Sequence, residues 1–85
     1  MKHKVEKIVQ GRRRQYGHPA HEFARAAGMW SIIIGSQVTP AQVGLCMAAL
    51  KICRECHRHK LDNIQDAIGY LICVQDTYAT RRQTR

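Results

Sequence analysis

The sequence predicts an all-α fold, a small bundle of three main helices plus a short N-terminal helical turn. Apolar residues recur at helical spacing over three stretches, no stretch alternates with the period of a strand, and glycine and proline fall between the stretches. At 85 residues the chain is one domain, with basic, loose ends expected at about residues 1–5 and 80–85. A core this small is often completed by a second copy, so a homo-oligomer is expected. "VEKIVQ" suits the short N-terminal turn, and "QYGHP" must be a loop.

The first helix is expected from Pro19 to about Ser36. Phe23, Ala26, Ala27, Trp30, Ile33 and Ile34 make one apolar stripe along it, and Gly35 offers a stop. The second has a marked start: Thr39 caps, Pro40 takes the first helical position, and Gln42 stands where a capping box needs it. It runs to about Arg58. Val43, Met47 and Leu50 mark one side and Leu45, Ala48, Ala49, Ile52 and Cys56 another, which describes a central helix touched from two sides. That is more apolar circumference than two neighbours need, a second reason to expect association. The third helix follows Leu61, with Asp62 or Asn63 as its cap. Ile64, Ile68, Leu71 and Tyr78 form its stripe, joined by Ala67, Ile72 and Val74, and Gly69 implies a close approach by another helix or a ligand.

The net charge of +8 points to a phosphate-bearing partner, because a basic surface concentrates anions around it. No run reaches the roughly 20 apolar residues that span a bilayer, and the basic N-terminus lacks a secretory h-region. A cytoplasmic, reducing location and no membrane partner are therefore expected. The four cysteines are then thiols rather than disulfides.

"CRECHRH" raises the question of a metal or haem. Cys53, Cys56 and His57 spell C-x-x-C-H, and Cys56 and His59 extend the set toward zinc. Haem attachment needs export, and zinc needs a second pair of ligands that the chain does not supply. On the helix map Cys53 and Cys56 fall on an apolar side, where they are expected as packing residues. His57, Arg58, His59 and Lys60 suit the negative end of a helix dipole. In "DNIQD", Asp62 and Asp66 stand one turn apart; they could hold magnesium or pair with Lys51, Arg54 or Arg58. In "GRRRQYGHP", arginine forks suit phosphate oxygens and Tyr16 offers a stacking face. Tyr70 is the other stacking candidate, whereas Trp30 belongs to the core.

"RRRQYGHP", the Phe23 to Trp30 stretch ending in "IIIG", "VTPAQVGLCMAALKICR" and "KLDNIQDAIGY" together resemble an uncharacterised family of small phage and prophage proteins. Its pattern is an arginine before Y-G-D-P, a tryptophan helix closed by glycine, L-K-x-x-R, then D-N-x-x-D-x-x-G-Y. The resemblance covers about residues 12 to 70 and implies a phage origin and a helical fold. It marks Arg12 or Arg14, and Tyr16, Gly17, Pro19, Lys51, Arg54, Asp62, Asn63, Asp66, Gly69 and Tyr70. His18 stands where the pattern has aspartate, and Glu22 where it has asparagine. More distantly, the chain resembles the MazG-type nucleotide pyrophosphohydrolases, whose E-E-x-x-E cluster holds magnesium; the second helix here offers only Glu55.

The resulting expectation is a binding protein rather than an enzyme, with no catalytic residue, metal or cofactor assigned. Its ligand is a small phosphate-rich nucleotide, bound by Arg12, Arg14, Lys51 and Arg54 and stacked on Tyr16 or Tyr70. Asp62, Asn63 and Asp66 orient those cations or meet a base edge. A sponge for a cyclic nucleotide immune signal is the specific form of that expectation. The alternatives are sequence-tolerant nucleic-acid binding, which net charge alone supports, and magnesium-dependent nucleotide hydrolysis.

Overall fold

A computed structural model describes residues 19–83, with side chains over 21–79. The expected N-terminal turn lies outside the described residues. Three helices are present: α1 Pro19–Ile34, α2 Pro40–His57 and α3 Leu61–Gln83. Among the described residues there is no strand, and no helix is long and apolar enough to cross a membrane.

Helix α1 ends as glycine chemistry requires. Gly35 takes a positive φ of 78°, and the Ser36 N–H closes back on the Ser31 carbonyl at 3.2 Å. Ser31 also holds the link to α2: its hydroxyl donates to the Ala27 carbonyl at 2.7 Å and accepts the Val38 N–H at 2.9 Å. Val38 is thereby folded onto the core. At the start of α2 both halves of the capping box form, with Gln42 N–H to Thr39 Oγ1 at 3.2 Å and Thr39 N–H to Gln42 Oε1 at 2.9 Å.

The most extensive packing is between α2 and α3, and α1 lies across both. Phe23, Ala27, Val43, Cys73 and Val74 form the buried centre, with Trp30, Val38, Met47, Ile68 and Tyr70 packed around it. At the crossing a side chain on Gly44 would collide with the Val74 methyl and come within 2.7 Å of the Phe23 ring. Gly44 therefore sets how closely the three helices approach. Gly69, which sequence singled out for this role, is buried as well.

Several faces differ from those expected. The α1 stripe ends at Trp30: Ile33 is 78% exposed and Ile34 63%, and Val38 makes the core contact at that end instead. Helix α2 is buried on one side only, through Val43, Gly44 and Ala48. Leu45, Leu50 and Ile52 face outward. Cys53 and Cys56 are exposed too, so within one chain they are not packing residues. Cys56 faces outward, and Cys53 stands at the edge of the turn between α2 and α3. On α3, Leu71 and Tyr78 are exposed while Asn63 and Thr77 are buried. The α3 stripe is rotated because those two polar side chains bring their own partners, which hydropathy spacing does not register.

Candidate functional site: the basic cleft at the α2–α3 turn

The turn between α2 and α3 is built on one carboxylate. Glu55, in the last turns of α2, accepts the Lys60 N–H at 3.0 Å and the Asn63 side-chain amide at 3.3 Å, and it is hydrogen-bonded to His59 Nδ1. It therefore occupies an N–H at the start of α3 that has no partner within the helix, and puts negative charge at the helix's positive end. Asn63, only 7% exposed, also donates to the Arg58 carbonyl at 3.4 Å. The Asp62 and Asn63 caps expected from sequence are thus corrected: α3 begins at Leu61, and both residues lie in its first turn. Asn63 clamps the turn, and Glu55 supplies the cap from the preceding helix.

The Glu55 carboxyl is held below its ordinary value of 4.5, chiefly by the hydrogen bond to His59 and then by the Lys60 N–H. A depressed carboxyl contributes stability that is present above the unfolded pKa and lost as pH falls through the folded one. Acidification below about 4.5 is therefore expected to loosen this turn. Amide exchange at Lys60 and Asn63, followed from neutral to acid pH, measures it; unchanged protection would remove Glu55 as the pin.

Beside the turn opens a cleft of about 710 Å³, within the size range of small-ligand sites. Lys51, Arg54, Arg58 and Lys60 line it with His57 and Cys53, and Asp62, Asn63 and Asp66 complete the wall. Lys51 pairs with Asp66 at 3.0 Å, both side chains mostly buried. This is the pairing that the one-turn spacing of "DNIQD" allowed. Among the described residues Arg54, Arg58 and Lys60 carry no salt bridge to a carboxylate. Three cations thus face the cleft, with the Asp62 carboxylate on the same wall.

Five of the nine expected site residues meet here: Lys51, Arg54, Asp62, Asn63 and Asp66. Tyr70 does not line the cleft. Its ring packs on Phe23 with centroids 6.4 Å apart, in an arrangement that serves the core. Arg12, Arg14 and Tyr16 lie outside the described residues. Arg58, Lys60 and Glu55 were not in the expected set, although Arg58 stands one turn after Arg54 and the acidic Glu55 sits within a basic run. No group of three or more His, Cys, Asp or Glu that could hold a metal ion occurs among the described residues.

A family model described as a domain of unknown function matches residues 1–78. The chain belongs to the DUF6378 family. No curated protein and no solved structure matches it. The DUF6378 match covers every described residue of the cleft, so the basic wall and the carboxylate-pinned turn lie inside the family domain.

Proposed function

We propose that this protein binds a small phosphate-rich nucleotide in the α2–α3 cleft, as a homo-oligomer of phage origin that sequesters a cyclic nucleotide or oligonucleotide signal of host immunity. The observation that carries the reading is the convergence of Arg54, Arg58 and Lys60 on one open cleft of about 710 Å³. Guanidinium groups take phosphate oxygens in paired, charge-assisted hydrogen bonds, and a lysine adds a point charge. Asp62 supplies an acceptor for a base edge or sugar hydroxyl, and Asn63, whose amide is committed to Glu55 and the Arg58 carbonyl, holds the wall in place. Lys51, held by Asp66, supports the wall. Arg12, Arg14 and Tyr16 are assigned by the same reading to further phosphates and a base.

Two observations weigh against the alternatives. Asp66 is held by Lys51, but the Asp62 carboxylate would oppose a nucleic-acid backbone running the length of the cleft more than a compact ligand held at Arg54, Arg58 and Lys60. With Asp66 taken up by Lys51, Asp62 is left as the cleft carboxylate without a described ion pair, which disfavours magnesium-dependent hydrolysis. Mass spectrometry of ligands released by heating the purified protein, paired with titration of cyclic di- and trinucleotides, tests the proposal. One phosphorylated nucleotide at near-stoichiometric yield, or saturable binding of one from the panel, is expected. Neither release nor binding would overturn it.

A further inference from the structure

The outward side of α2 carries an apolar face with no partner among the described residues. Cys46, Ala49, Cys53 and Cys56 follow one another at spacings of three, four and three, the seam of a two-helix coil, and all four are exposed. Leu45 and Ile52 flank the seam and are about half exposed. No charged side chain falls among these positions. At its N-terminal end the face runs into a groove of about 300 Å³ between α1 and α2, where Trp30, Ile34 and Val38 meet Leu45 and Cys46.

We infer that this face is covered by a second copy of the same chain, with the two α2 helices antiparallel. The occupant follows first from charge. Residues 26–50 contain no Asp, Glu, Lys, Arg or His, although the chain carries a net charge of +8. Two molecules of the same net charge repel one another least over this uncharged region, and the seam lies partly within it. The orientation follows from the same distribution. Parallel helices would bring Arg54, Arg58 and Lys60 of both copies together at one end. Antiparallel helices place each basic turn beside the uncharged start of the other α2, and oppose the helix dipoles favourably.

Area agrees with the charge argument. Covering an exposed leucine or isoleucine removes on the order of 100 Å² from water, so face and groove offer roughly 500 Å² of apolar surface per copy. A standard interface buries about 800 Å² per partner, and the uncharged rim of Gln37 and Gln42 makes up much of the rest. In the antiparallel register Cys46 faces Cys56 of the second copy, and Ala49 faces its Cys53. Arg54 and Arg58 lie off the seam, so the basic wall of the cleft stays exposed, while Cys53, which also lines the cleft, puts the interface at its edge. The inference is independent of what the cleft binds.

Native mass spectrometry and sedimentation of the full chain test it. A dimer is expected at micromolar concentration, insensitive to moderate salt. Ala49→Glu, an exposed position in the monomer, is expected to yield a monomer with unchanged helical circular dichroism, whereas Ile33→Glu on α1 leaves the dimer intact. A second measurement fixes the direction. In Cys53→Ser, diamide oxidation joins two thiols across the interface with loss of two protons and two electrons to the diamide. A covalent dimer is expected, and it disappears when either Cys46→Ser or Cys56→Ser is added. A monomeric wild type, a dimer that survives Ala49→Glu, or a cross-link that survives Cys56→Ser would each overturn the inference.

Discussion

Gly44→Ala is expected to lower the melting temperature by roughly 10 °C, while Gly28→Ala raises it by a few degrees. Both substitutions place the same methyl group inside a helix, and both gain up to about 1 kcal/mol of helix propensity. They differ only in what the methyl meets. At Gly44 it collides with Val74 and stands 2.7 Å from the Phe23 ring, and nothing lies within 4 Å of it at Gly28. Neither obstacle is the loose end of a flexible chain: Val74 is stiff at its first torsion and Phe23 is wedged in the buried centre. The helices must therefore separate, an overpacking cost of about 3 kcal/mol before the propensity gain is subtracted. Thermal circular dichroism on the two variants decides it. A Gly44→Ala protein that melts at or above the wild type would remove the three-helix crossing.

Arg54→Glu is expected to weaken nucleotide binding about a hundredfold while shifting stability by less than about 0.5 kcal/mol. Arg54 is exposed and lines the cleft without a salt bridge to a described carboxylate. Reversing it removes charge-assisted hydrogen bonds worth about 1.5–3 kcal/mol and adds repulsion of similar sign. Gln75→Glu, on an exposed part of α3, reproduces half of the change in overall charge, one unit against two, and should stay within about twofold of wild type. Isothermal titration at two salt concentrations measures both variants. An Arg54→Glu protein that binds as tightly as the control would place the ligand elsewhere.

Sequence made some of this architecture legible and concealed the rest for definite reasons. The Thr39 capping box could be read because all its partners lie within four residues. The grouping of Lys51, Arg54, Asp62, Asn63 and Asp66 could be read because one short turn folds those residues back on each other. Gly44 looked like any helical glycine, since its reason for being there is contributed by α1 and α3. Tyr70 looked like a stacking surface because Phe23, which takes up its ring, is 47 residues away in the chain. The polar stretch of α3 hid a buried face, because Asn63 bonds across to Glu55 and the Arg58 carbonyl and the Thr77 hydroxyl satisfies itself on the Val74 carbonyl of its own helix. Exposed Cys53 and Cys56 reversed their expected place, as hydropathy marks a side chain as apolar without saying which neighbour covers it.

The turn pinned by Glu55 also bears on the order in which the molecule assembles. Only residues 58–60 separate α2 from α3, and those two helices share the largest contact. Contacts so near in sequence sacrifice little loop-closure entropy, and chains dominated by them cross low kinetic barriers. The topology thus favours a hairpin that forms early around its own carboxylate clasp. It leaves α1 to arrive later and seat Phe23 over the bare backbone at Gly44.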